Sequence, residues 1–215
     1  WLEAEQALLS AINLAPEFPL PYTSLGVLYL EPGDYKSAEI YLKKGINIEE
    51  SAAAYTLLGV AQRRLGMTAV AEESFSKAIK IDDAYEEAYY NLGLIVAQKQ
   101  TQEAITLFQI ALQLDPEYSE AHRELGWVLR QQKKYNKAEY HLRKAIQLDS
   151  SDGWAYVYLG NLLWAKKEIT AAEQTFRKAI EVWPNDSFTH WCLAIFYEYQ
   201  GRPQEADFFY VKAHQ

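Results

Sequence analysis

The chain is poor in the residues that carry most recognisable chemistry. One cysteine, Cys192, stands in 215 residues. That excludes an intramolecular disulfide and a zinc site built from several thiolates, and it fits a reducing compartment, so a cytoplasmic setting is expected. No apolar run approaches the ~18 residues that span a bilayer, and no signal peptide is visible. The four histidines, His122, His141, His190 and His214, include no pair at the one-turn spacing of a helical zinc site and no adjoining glutamate placed as a general base. Phosphate-binding glycine loops and a strand-to-helix nucleophile turn are also missing. With 29 acidic against 21 basic residues, a net charge of −8, there is no basis for general binding to nucleic acid or to an anionic membrane. The acidic junction Asp82-Asp83 and Glu86-Glu87 lacks the alternating ligands and turning glycine of a calcium loop and reads as solvated charge. No catalytic residue, metal ligand or cofactor is expected, and the chain reads as a non-enzyme.

What is present is repetition. Residues that are 49% hydrophobic and 14% aromatic are too apolar for disorder, and they recur in register. Leu25-Gly26, Leu58-Gly59, Leu92-Gly93, Leu125-Gly126 and Leu159-Gly160, with Leu193-Ala194 as a variant, follow one another at 33 or 34 residues. A second series opens on Ala4, Ala38, Ala71, Ala104, Ala138, Ala172 and Ala206, each with a large apolar residue four positions on, from Leu8 through Phe75, Phe108 and Phe176 to Tyr210. Within one unit, Tyr156, Leu159, Gly160 and Leu163 fall at i, i+3, i+4 and i+7, the stripe of an amphipathic helix. Ala165 to Ile169 leaves room only for a tight turn, so two antiparallel helices are predicted per unit. From Gly93 to Ala104 the spacing is one residue short, which predicts an altered turn there.

A helix pair at this period resembles the tetratricopeptide repeat (TPR) family, whose period is about 34 residues. The resemblance implies an all-α, right-handed superhelix of antiparallel helix pairs, an α-solenoid of about 13 helices. The expected organisation is a single array over residues 1–215: the second helix of a partial repeat in 1–18, then six repeats in 19–51, 52–85, 86–118, 119–152, 153–186 and 187–215. The chain opens part-way into a repeat on Trp1, so it is read as a fragment of a longer protein. His122 and His190 stand where other repeats carry tyrosine and are expected to pack between helices.

In the resembled family the first helix of each repeat lines a concave wall. Carried over position by position, this implies a partner-binding groove formed by Arg63, Arg64, Tyr90, Leu94, Arg123, Trp127, Arg130, Trp154, Asn161, Trp164, Phe188, Trp191 and Tyr199, with Thr56 and Val157 also facing it. Four of the six tryptophans fall on these positions, and aromatics beside arginines have the composition of a binding hot spot. The function expected is a protein–protein interaction scaffold or adaptor. Its ligand would be a peptide or helix whose apolar residues meet the aromatics and whose acidic residues meet the arginines. The lysine–asparagine clamp for a C-terminal carboxylate is absent: the matching positions hold Thr23, Val27, Leu57, Glu87 and Asn91. Two further readings are a recruiting or regulatory arm of a multidomain enzyme, and self-assembly through the repeat ends, with Trp1 and Leu2 stacking on Phe208 and Phe209.

Overall fold

Each apolar stripe is a helix. In a computed structural model that describes residues 1–98 and 101–214, the described residues form thirteen α-helices and no strand. They are α1 (Leu2–Leu14), α2 (Pro19–Leu30), α3 (Tyr35–Ile48), α4 (Ala52–Arg64), α5 (Thr68–Ile81), α6 (Glu86–Val96), α7 (Thr101–Leu114), α8 (Ser119–Gln131), α9 (Tyr135–Leu148), α10 (Gly153–Ala165), α11 (Ile169–Val182), α12 (Ser187–Tyr199) and α13 (Pro203–Ala213). Caps start several of them, as short polar side chains before an apolar stripe should. Asp34 accepts from the Ser37 amide, Ser51 from Ala54, Asp152 from Trp154 and Ala155, and Asp186 from Thr189.

The Leu-Gly glycines exist to receive a side chain. A Cβ on Gly160 would lie 2.8 Å from the Phe176 ring, one on Gly59 2.6 Å from Phe75, and one on Gly93 2.7 Å from Phe108. Leu42 and Leu142 fill the same place against Gly26 and Gly126. In these five pairs the large residue of the second helix therefore plugs into the gap its own first helix leaves. Phe75, Phe108 and Phe176 are fully buried as a result. This lock lies within one helix pair, so it repeats without long-range information.

The turns repeat as well. Eight residues after the first-helix leucine, the backbone enters the left-handed region at Gly33 (φ 84°), Gly66 (φ 79°) and Gly201 (φ 69°), a conformation that glycine adopts without steric cost. Lys133 (φ 58°) and Lys167 (φ 64°) hold the same place in their repeats. The short turn expected between Gly93 and Ala104 includes residues 99 and 100, which lie outside the described residues.

His122 and His190 do substitute for tyrosine. The Tyr22 hydroxyl donates to the Pro16 carbonyl at 3.1 Å, and Nε2 of His122 and of His190 reach the Pro116 and Pro184 carbonyls at 3.2 and 2.8 Å. Each bond runs six residues back and ties a first helix to the junction before it.

Chain contacts divide the molecule into two compact units, Trp1–Asp115 and Pro116–Gln215. The first contains α1 to α7, with a core that includes Leu25, Tyr29, Leu42, Ile46, Tyr55 and Leu58. The second contains α8 to α13, where Leu125, Leu142, Leu162, Leu163, Phe176, Leu193, Phe196 and Tyr197 are fully buried. No described helix is long and apolar enough to cross a membrane.

Candidate functional site

In the second unit, α10 packs against both α8 and α12, and the three helices together carry a connected row of aromatic rings. Trp127 of α8 stacks on Tyr158 of α10, with centroids 4.6 Å apart and planes 24° apart. Tyr158 meets Trp154 at 5.8 Å, Trp154 meets Phe188 of α12 at 4.8 Å, and Phe188 meets Trp191 at 5.6 Å. A second group joins Trp164 edge-on to Phe196 and Tyr199, at 5.5 and 5.4 Å. Trp127, Trp154, Asn161 and Trp164 are half-buried, whereas Phe188, Trp191 and Tyr199 are exposed, Tyr199 by 76%. Trp191 and Tyr199 also border a cleft with Ile195, Glu198 and Tyr210, closed at one side by the Tyr210 hydroxyl donating to Glu198 at 2.5 Å.

The arginines on this face differ. Arg123 is engaged, donating from Nη1 to Asp152 at 2.6 Å and from Nε to Glu124 at 2.9 Å. Asp152 is itself buried and uses its other oxygen to cap α10. Arg123 is thereby a strut that fixes the start of the helix carrying Trp154. Burial pushes the Glu124 carboxyl up from its usual range, against the opposing pull of Arg123. Arg130, one helix end further on, lies over the Trp127 ring with its guanidinium carbon 5.1 Å from the centroid. Its Nε is buried without a hydrogen-bond partner, and burial lowers its pKa, though an arginine stays charged.

In the first unit, Arg63 and Arg64 stand in the last turn of α4. Arg63 repeats the condition of Arg130: its Nε is buried and unpartnered, and burial, with the adjoining Arg64 charge, lowers its pKa. Arg64 is exposed. Tyr90 tilts against Phe108 at 6.0 Å, and Leu94 is half-buried beside it on α6.

Two expectations need correction. Thr56 and Val157 do not face outward: they are 2% and 1% exposed, inside the packing between helices. Trp127, Trp154 and Trp164, besides lying on the predicted face, each make ring contacts that help join neighbouring first helices. Phe209 is turned inward, stacking on Tyr197 and His190, while Phe208 remains exposed.

Sequence reasoning passed over Tyr158, Trp183 and Asp152. Tyr158 lies four residues after Trp154 and so shares its helix face, a signal that was readable. Trp183 packs edge-on to Trp154 at 6.3 Å and fills the space over Gly153, where a Cβ would sit 2.4 Å away. It also passed over the pair formed by His122 and His141, whose Nδ1 atoms are 2.8 Å apart. Because the Pro116 carbonyl only accepts, His122 carries a proton on Nε2, and one further proton lies between the two facing Nδ1 atoms. Among the described residues no group of three or more His, Cys, Asp or Glu side chains is placed to hold a metal ion. Cys192 is buried, and burial pushes its thiol up to about 12, which makes it unreactive.

Comparison with known proteins agrees with this architecture. Residues 97–215 match the family described as Cilia and flagella-associated protein 70 middle TPR-like domain, and residues 21–51 and 52–85 match Tetratricopeptide repeat. A Sol locus transcriptional repressor of Clostridium acetobutylicum is 35% identical over 72 residues, 33% of this chain. The chain matches 23% of that relative's length. Among solved structures, pilF of Pseudomonas aeruginosa superposes with a TM-score of 0.77 at 24% identity, over 89% of this chain and 88% of that one. YrrB, a TPR protein with an unusual peptide-binding site, superposes with a TM-score of 0.63 at 22% identity, over 86% and 96%.

Proposed function

The chain belongs to the Cilia and flagella-associated protein 70 middle TPR-like domain family of tetratricopeptide-repeat proteins, and from that premise we propose that the face of α8, α10 and α12 holds an extended segment of a partner protein. The observation that carries this reading is the row of rings from Trp127 to Trp191. Its inner edge joins the helices and its outer members, Phe188 and Trp191, remain open to solvent. A contiguous exposed aromatic surface is costly to leave in water and marks an interaction site on a protein whose core is otherwise complete. Flat ring faces suit aliphatic and proline side chains of an extended segment, which reaches the site already stiff and loses little entropy on binding. The fold shared with YrrB, itself a protein with a peptide-binding site, is compatible with that role. In the first unit, Arg63, Arg64, Tyr90 and Leu94 form a smaller candidate surface of the same kind. The role is that of a scaffold or adaptor, in which binding rather than chemistry is the output.

The test is selection of 12-residue peptides from a display library on the whole chain, followed by calorimetric titration of the enriched sequences. Trp191→Ala should weaken binding by about 2 kcal/mol or more if this ring is an anchor. Tyr140→Ala, which removes a ring 64% exposed on the second helix α9, should leave affinity unchanged. Equal affinity for Trp191→Ala and the unaltered chain, with both folded, would move the site off this face.

A further inference from the structure

We infer that Arg130, seated on the Trp127 ring, is the receptor for an aspartate or glutamate side chain of the bound segment. This rests on the reading of the α8–α10–α12 face as a peptide site and gives that site its polar specificity. The chain has seven arginines. Arg123, Arg143, Arg177 and Arg202 each pair with a carboxylate, at 2.6 to 3.2 Å. Arg63, Arg64 and Arg130 make no ion pair among the described residues, in a protein with 29 acidic side chains available. Arg130 is the one of these three on the aromatic face of the second unit.

Its state is unfavourable as it stands. The Nε–H is shut away from water and meets no acceptor, and a partly desolvated charge without a counter-ion is stabilised only when one arrives. With its carbon 5.1 Å from the Trp127 ring centroid, the guanidinium is restrained by the indole, so its Nη donors meet a planar carboxylate with less further ordering. Arg123, on the same helix, cannot serve, because Asp152 and Glu124 already occupy it. The negative net charge of −8 disfavours acidic ligands elsewhere, so an acidic residue recognised here would fix the register of the segment.

The ring row from Trp127 to Phe188 crosses two helix-to-helix steps of about 8–10 Å, which ~6 residues of extended chain span. Peptides selected on the whole chain should therefore carry an acidic residue roughly six positions from the proline or aliphatic residue that sits on Phe188 and Trp191. Fluorescence anisotropy of a labelled selected peptide then reads the contact. Changing its acidic residue to the amide should weaken binding to the unaltered chain by tenfold or more. Against Arg130→Gln the same change should cost less than twofold. Arg130→Lys, which keeps the charge and loses the fork, should fall between and stands in if Arg130→Gln does not fold. Selected peptides that lack an acidic residue, or an acid-to-amide loss that is undiminished in both variants, would overturn the acid receptor and leave the peptide site standing. Failure to enrich any peptide would overturn both.

Discussion

At the scale of the residue, the structure shows where the sequence departs from its own best solution. Lys133 and Lys167 occupy a left-handed turn position that glycine fills in three other repeats, and both are exposed. A Cβ in that region costs roughly 1–2 kcal/mol, partly offset by the entropy that glycine adds to the unfolded chain. Lys133→Gly and Lys167→Gly should each stabilise the protein by about 0.5–1 kcal/mol, read as a higher urea midpoint at constant slope. His141 makes a second prediction. Burial, then the facing His122 and the nearby Lys137, lower its pKa to about 4, whereas in the unfolded chain it titrates near 6.5. The folded state binds the proton less well, so stability is full above about 6.5 and is lost as the pH falls through 6.5 toward about 4. His141→Gln should show a shallower fall of the thermal midpoint across this window than the unaltered chain. Parallel curves would mean that His141 is not held neutral by the fold.

At the scale of the element, local signals were legible and long-range partners were not. The stripe spacing, the Leu-Gly glycines and the caps depend on residues within one helix pair, so periodicity placed the helices. The role of Arg123 depends on Asp152, 29 residues away, and the histidine pair joins residues 19 apart. Neither spacing carries a pattern that a sequence shows, because each is set by how one repeat seats on the next. The positions of Trp127, Trp154, Phe188 and Trp191 came from the repeat register, but their joining through Tyr158 came from packing. Arg123, expected among the groove residues, is the strut of α10. Arg123→Ala should cost about 3 kcal/mol of stability, since it leaves Asp152 buried without its partner. Arg123→Ala combined with Asp152→Asn should recover part of that loss, because asparagine still caps the helix and carries no charge. A single variant of unchanged stability would contradict the strut.

At the scale of the whole molecule, the repeats provide two compact units, and each unit is marked by the side chains its first helices present. Composition spoke to this scale directly: a net charge of −8 with 14% aromatic residues suits a binding surface that is apolar and locally basic on an acidic protein. The central claim is that the tryptophan face of the second unit is open and becomes covered by a partner segment. Acrylamide quenching of tryptophan emission, in a Trp1→Phe background because Trp1 is 52% exposed, tests it most directly. Emission should be partly quenchable in the free protein, with saturable protection and a blue shift when a selected peptide is added. Blue emission that acrylamide does not reach, unchanged by peptides that bind, would show that these rings are packing alone and would contradict it.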